Sequence, residues 1–380
     1  MKIFLLPKNI ISIIKNPKFS RDIGTEFSNE LKNRVNHHFK SNDISKYGNN
    51  QMIIKSVVML LLFFIPITFI SIGLVTSPWL LFLLYMTSGV GMAGIGMGVM
   101  HDAIHGSYSR NQKINRIMGY SFNLIGANAN VWKIQHNVLH HTYTNIDESD
   151  DDIHTPFFLR FSPHAKLYWI HRFQYLYVWF FYGVSTIAWI TAKDFVKLSR
   201  YNKLGLIKGS KFREEIVKIA AWKLVYYSYA LVLPLIMVPL ASWIIILAFV
   251  TMHFITGVMV SVVFQTAHVM PKTDFPLPDN DGLIANNWTI HQLVTTSNFA
   301  PKSKFLYWMI GGLNYQVEHH LFPNICHIHY KRISSIVEKT AKEFGIPYLS
   351  KKTFIAAIVD HTKMLYQLGR MQPNMAKLNY

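Results

Sequence analysis

Long apolar runs alternate with strongly polar stretches along this chain. Four runs contain no Asp, Glu, Lys or Arg: residues 56–75, 79–100, 224–240 and 243–267. A helix needs about 20 apolar residues to cross a bilayer, with ~17 as the short limit, so each run predicts a transmembrane helix. The runs come in pairs, joined by "TSP" at 76–78 and "AS" at 241–242. Two hairpins are therefore expected. Neither turn carries a Lys or Arg, whereas the segments on the other side are rich in both. By the positive-inside rule, both termini and the middle segment lie in the cytoplasm. The aromatic run "YLYVWFFYGVSTIAWIT", 175–191, is flanked by Arg172 and Lys193. It reads as a helix lying in the membrane interface, because a fifth span would carry the Lys-rich last third outside.

Residues 1–50 do not read as a signal peptide: "FLLP" is too short an apolar core and no small-residue cleavage site follows. "TEFSNELKNRVNHHFK", 25–40, has the apolar spacing of an amphipathic helix. Repeats, low-complexity tracts and linkers are absent from the sequence, so a single domain is expected over 1–380. It is an all-α integral membrane fold: four transmembrane helices in two hairpins beneath a cytoplasmic helical cap. Its parts are cytoplasmic N-terminal helices (1–52), a first hairpin (56–100), cap (101–218), a second hairpin (224–267) and further cap (268–380).

Composition agrees. The 380 residues are 51% hydrophobic and 15% charged, against about 25% charged in soluble domains. The single cysteine, Cys326, excludes an internal disulfide and a thiolate metal cluster. The formal charge of +18 suits anionic lipid headgroups beside the spans, with an acidic electron carrier as a second partner. Zinc-finger and RNA-binding motifs are missing, so nucleic acid is not an expected partner.

Histidine, at 18 residues, then becomes the candidate metal ligand. "HDAIH" (101–105) follows the second span and puts His101 and His105 one turn apart. "HNVLHH" (136–141) holds His136, His140 and His141. "NYQVEHHLFPNICHIHY" (314–330) holds Gln316, His319 and His320 at i, i+3 and i+4, and "TAH" ends the fourth run with His268. All four groups fall at the cytoplasmic ends of spans or in the cap. Many imidazoles with few carboxylates suit iron, zinc or copper. Eight are too many for one four-ligand site, so two ions sharing them is the economical reading. Adjacent residues on a helix diverge by about 100°, which lets an HH doublet serve both.

Blander readings exist for each part. HDAIH alone fits capping or snorkelling groups, and His37-His38 shows a chance doublet with no partner histidine before it. Three boxes and His268 on one side of one membrane outweigh them. His154, His164, His171 and His291 read as polar cap residues or as supports behind the ligands. His327 and His329 follow Pro323, which breaks the helix. With Asp102 and Glu318 they are candidates to orient ligand imidazoles from behind, as are some of Asp147, Asp150, Asp151 and Asp152. His253, mid-span and roughly 22 Å from His268 at helical rise, fits a local hydrogen bond to a threonine. "WMIGG" (308–312) and "GANANVW" (126–132) fit either ordinary packing or a substrate path.

The boxes "HDAIH", "HNVLHH" and "QVEHH" resemble those of the membrane fatty acid desaturases. The glutamine that opens the third box, the following "HHLFP", "HHTYTNI" and "FQTAHVMP" are closest to the front-end, delta-5/delta-6-like acyl desaturases. The resemblance runs from about residue 26 to about 345. It implies a di-iron centre with O2 as co-substrate. By similarity to stearoyl-CoA desaturases, the metal ligands map to His101, His105, His136, His140, His141, His268, His319 and His320. Gln316 stands where those enzymes have histidine, which implies a weak or water-mediated ligand. Many front-end enzymes carry a fused cytochrome b5 domain with an HPGG haem motif. HPGG does not occur in this sequence. Haem is therefore not expected in this chain, and the electron donor is expected to be a separate ferredoxin or cytochrome b5. The implied activity is oxidation of an acyl chain, linked to CoA, phospholipid or carrier protein, at two adjacent methylenes. A hydroxylase of the same superfamily and a histidine-lined metal transporter are the rival readings.

Overall fold

The computed structural model describes residues 17–372 apart from residue 22; the "FLLP" run lies outside the described residues. The helices that matter for the site are α1 (Thr25–Ser41), α2 (Asn50–Ser71), α3 (Pro78–Ile104), α4 (Gln112–Gly119) and α5 (129–143). They continue with α6 (Trp169–Lys203), α7 (Gly209–Met237), α8 (Ser242–His268) and α9 (Trp288–Val294). Three more close the chain: α10 (Gln316–Leu321), α11 (Tyr330–Glu343) and α12 (Phe354–Leu368). The expected all-helical architecture is present, interrupted by two short parallel strand pairs. These are β1 (Lys18–Phe19) with β2 (Leu283–Ile284), and β3 (Ser297–Phe299) with β4 (Leu349–Lys351).

Among the described residues five helices, α2, α3, α6, α7 and α8, are long and apolar enough to cross a membrane. α3 and α8 contain the runs 79–100 and 243–267, while α2 ends at Ser71 within 56–75 and α7 starts at Gly209 and ends at Met237 within 224–240. The fifth, α6, contains 175–191. Exposed side chains on these helices, such as Ile54, Leu61, Leu83, Leu224, Ile236 and Leu247, are apolar, as lipid-facing positions must be.

Small residues and backbone-directed hydroxyls hold the bundle together, as suits a medium in which apolar side chains gain little by leaving lipid. A side chain at Gly91 would meet the backbone of Phe63 at 2.5 Å, and one at Gly257 would meet the carbonyls of Tyr182 and Gly183 at 2.4 Å. These glycines bring α3 onto α2 and α8 onto α6. Ser71 Oγ donates to the Tyr229 carbonyl at 2.7 Å, and Tyr85 Oη to the Ala230 carbonyl at 2.9 Å. Thr256 Oγ1 donates to the Gly89 carbonyl at 2.9 Å. Each bond satisfies a polar group that would otherwise face hydrocarbon.

Beyond the bundle, α1 buries Phe27, Leu31 and Val35, its i, i+4, i+8 stripe, against Ile333, Val337 and Ala341 of α11. That is the amphipathic helix expected from 25–40. Residues 308–312 pack against α3: Gly311 (φ 68°) lies where a Cβ would be 2.3 Å from the Met97 carbonyl. Only glycine tolerates both that backbone and that approach, so the segment before α10 is pressed onto the end of α3.

Candidate metal centre

Two helices change pitch where the histidines begin. In α3, Ile95–Met100 is π-helical and leads directly into His101. In α5, Ile134–His140 is π-helical and carries the second box as far as His140, with His141 the next residue. A π-turn pairs i with i+5. It therefore brings His136 and His141 onto one face, with their Nε2 atoms 3.1 Å apart. An α-helix would splay these two residues by about 140° at its 3.6-residue period.

Side chains from α3, α5, α8 and α10 converge. His101, His105, His136 and His319 form one group, and His140, His268 and His320 a second; His141 joins His319 and His320. Within each group the nearest ring nitrogens lie within 4.8 Å of one another. Each doublet divides, with His140 and His320 in one group and His141 and His319 turned toward the other. His101 Nε2 is 3.2 Å from His136 Nε2, and His141 Nε2 is 3.0 Å from His319 Nε2. Seven of the eight rings belong to buried residues and His105 is half-buried.

The outer nitrogens are held by the protein. His140 Nδ1 donates to Asp150 at 2.9 Å, His268 Nδ1 to the Thr295 carbonyl at 3.2 Å, and His320 Nδ1 to Gln292 Oε1 at 2.9 Å. His319 Nδ1 lies 3.1 Å from the Tyr330 hydroxyl. Fixing the proton on Nδ1 turns the Nε2 lone pair inward. Among the described residues, His105 Nε2, His140 Nε2, His268 Nε2 and His320 Nε2 have no hydrogen-bond partner. Burial, and after it the neighbouring imidazoles, holds His105, His136, His141, His319 and His320 well below the usual histidine range. Burial also opposes charge on His140, but Asp150 and Asp152 outweigh it and push this imidazole up to about 9. Apart from His140 these are neutral rings, and their converging lone pairs repel one another unless cations lie between them. The donor set fits two transition-metal ions, and all-imidazole donors suit iron, zinc or copper.

The remaining sequence candidates divide. Asp102 Oδ2 takes His327 Nδ1 at 2.7 Å and Cys326 Sγ at 2.9 Å, and His327 Nε2 lies 3.0 Å from Lys55 Nζ. Asp102 sits beside His101, with its other oxygen 4.0 Å from His101 Nδ1. Glu318 turns the other way, accepting from Asn298 and Tyr348 at 2.8 Å each, and burial raises it to about 7. His329 bonds the Tyr47 carbonyl. Gln316 is fully buried, and neither side-chain atom has a partner among the described residues. Asp151 binds Lys197, Arg200 and Tyr201. His164 and His171 bond the Phe275 and Phe157 carbonyls. His253 is held by Thr186, as expected, and also by Tyr226. Gln292, Thr295 and Tyr330 were not foreseen, since no spacing ties them to a box.

An apolar cavity opens beside the histidines. Met100, Trp132 and Phe264 line its near end, and Met92, Thr256 and His253 its far end. Trp132 stacks on His136 at 4.3 Å between ring centres, and Phe264 lies 5.7 Å from the same ring. Part of "GANANVW" therefore lines this space: Ala127 and Trp132.

Comparison with known proteins agrees with this geometry. The fatty acid desaturase family model matches residues 77–352, which include all three boxes and His268. A protein named sn-1 linoleoyl-lipid 6-desaturase from Synechocystis sp. is 35% identical over 355 residues, covering 93% of this chain and 98% of the relative. One of the same name from Arthrospira platensis is 34% identical, with 92% and 94% covered. An acyl-lipid (8-3)-desaturase from Physcomitrium patens is 36% identical, with 89% and 71% covered. With a helical bundle of several candidate spans and imidazoles gathered at one end of an apolar cavity, the chain belongs to the fatty acid desaturase family, a multi-pass membrane oxidoreductase of acyl chains.

Proposed function

We propose that this chain is an O2-dependent, di-iron acyl-lipid desaturase of the front-end type, acting on linoleoyl lipids. The observation that carries the reading is the cavity whose near end is walled by Trp132 and Phe264, both against His136. Two bound iron ions would supply the O2-dependent removal of hydrogen from adjacent methylenes. The groups His101, His105, His136, His319 and His140, His268, His320, with His141 between them, would hold the ions. Gln316 would act through water. The chain's own residues orient the substrate: the apolar walls exclude water and fix which methylenes lie beside the histidines, and position decides which carbons react. The names of the relatives favour a lipid-linked acyl group over CoA or carrier protein, and desaturation over hydroxylation. Membership of an enzyme family leaves metal transport without support.

The histidine-bearing ends of α3 and α8 lie together, which supports a common cytoplasmic side for the cap, 101–218 and 268–380, with 1–52 and both termini there. Both ends of α6 meet elements of that same side. Gln174 bonds Arg160 and Leu365 near its start, and Lys197 and Arg200 pair with Asp151 near its end. Ends that both meet the cap support four spans plus a helix entered from the cap side, with its Thr186 reaching as deep as His253. The +18 charge would steer an acidic donor, ferredoxin or free cytochrome b5.

The test is expression in a host that lacks polyunsaturated acids, supplied with linoleoyl lipids and a donor system. Gas chromatography with double-bond localisation should find a new double bond between the existing ones and the carboxyl end. An alcohol, or unchanged lipid from inserted and metal-loaded protein, would overturn the assignment.

A further inference from the structure

The glycines of α3 sort into two kinds. Added side chains at Gly89, Gly91, Gly94 and Gly98 would strike Met252, Phe63, Met59 and Lys55 at 2.2–2.9 Å, so close helix packing explains them. Gly96 has no such explanation. Its backbone is helical, and a Cβ there would meet no atom within 4 Å among the described residues. Glycine costs a helix about 1 kcal/mol relative to alanine, and here packing returns nothing for it. The open space beside it is the apolar cavity, along which Met92, Gly96 and Met100 form one i, i+4, i+8 row.

The far end of the same cavity is built differently. His253 lies 11 residues before Phe264 on α8, or roughly 16 Å deeper at helical rise. Thr186 Oγ1 donates to the His253 carbonyl at 2.7 Å, so its lone pairs face His253 Nδ1 at 3.2 Å. That places the imidazole proton on Nδ1 and leaves Nε2 to accept from the Tyr226 hydroxyl at 2.7 Å. Both ring nitrogens are then satisfied by α6 and α7, and Phe249 packs on the ring at 4.8 Å. What His253 presents to the cavity is a fixed carbon surface.

We propose that Gly96 and His253 set the acyl length this protein accepts: Gly96 keeps the path open midway along the cavity, and His253 is the floor where the methyl end stops. This rests on the acyl-lipid reading above and names its specificity-determining positions. The occupant is an acyl tail, since the walls between these two residues are apolar.

The experiment offers wild type and Gly96→Leu a mixture of linoleoyl lipid and analogues shortened from the methyl end. The ratio of products from one culture is independent of expression level. Gly96→Leu should lower conversion of the full-length chain relative to the shortened ones by about tenfold or more, the discrimination that a methylene or two of pocket volume supports. His253→Ala, which deepens the floor, should move the ratio the other way. A parallel measurement, thermal stabilisation of the purified protein in detergent by each lipid, reads the cavity without turnover. There Gly96→Leu should lose the shift from the long lipid before that from the short ones. If the ratio and the thermal shifts match wild type, or if all lengths are lost equally, the proposal falls. Should wild type turn over no acyl lipid while the length-dependent shifts remain, the enzymatic reading fails and the cavity assignment stands.

Discussion

His140 and Asp150 form a buried pair, with Nδ1 2.9 Å from the carboxylate. Asp150 is itself fixed by the backbone amides of Asn145 and Asp152, at 2.8 and 2.9 Å. Rotating the imidazole would break its bond to a carboxylate that is itself held in place, so its Nε2 stays aimed at His268 and His320. Carboxylates behind ligand histidines are worth about 10–100-fold in metal affinity or activity. Asp150→Ala should lower iron retention and product formation by that factor while the protein still inserts. Equilibrium dialysis followed by elemental analysis checks it, and wild-type iron content would refute the role.

The two groups of rings should carry one ion each, so active protein should contain about two iron atoms per chain. His140→Ala and His320→Ala each remove a donor from the same group. Both should abolish product and reduce bound metal, whereas His37→Ala, exposed on α1, should change neither. A strong chelator should lower the thermal midpoint of wild type, because removing the cations leaves lone pairs converging in a buried space. Near-normal activity in either box variant would contradict a ligand role.

How much of this was legible depends on distance along the chain. The histidines of each box are close in sequence, and hydropathy put the first box and His268 at span ends and the other two boxes in the polar segments that follow them. The pitch of the helices was not legible. His136 and His141 face each other because Ile134–His140 is π-helical, and a side-chain pattern cannot announce one extra residue in a turn. The side chains behind the rings divide in the same way. Asp150 follows its box closely and stood among the acidic candidates, whereas Gln292 reaches His320 from α9, and Thr295 reaches His268 by a carbonyl, which any residue could offer. Glu318 looked like a partner because it adjoins His319, yet its side chain points to Asn298 and Tyr348 instead. Neighbours in sequence on a helix need not share a face.

Gln316 is a case where burial argues for a hidden partner. Both its amide atoms are buried and unbonded among the described residues, a state that costs about 1–3 kcal/mol per unsatisfied group. A bridging water shared with a metal-bound position would satisfy them. Gln316→Leu should then leave the metal-free protein as stable as wild type or more so, while lowering product formation about tenfold or more. Thermal melts of chelated protein and product yield, measured together, separate this from plain packing. Unchanged yield would make Gln316 a filler.

Lys55 is nearly fully buried in α2, and its ammonium reaches His327, which in turn binds Asp102. Asp102 also accepts from the Cys326 thiol and the His327 backbone amide. One charge-linked chain thus ties α2 to the end of α3, which carries the first box, and to the loop that follows the third box in α10. Removing one member of a buried pair costs about 3–5 kcal/mol, because the other charge is left uncompensated. Lys55→Met and Asp102→Asn should each lower the thermal midpoint by several degrees. The two share one network, so their effects should not add, and the double variant should lose less than the sum. A double-mutant cycle on purified protein gives the coupling directly. Additive losses would mean that the lysine and the carboxylate stabilise the fold independently and that no relay joins them.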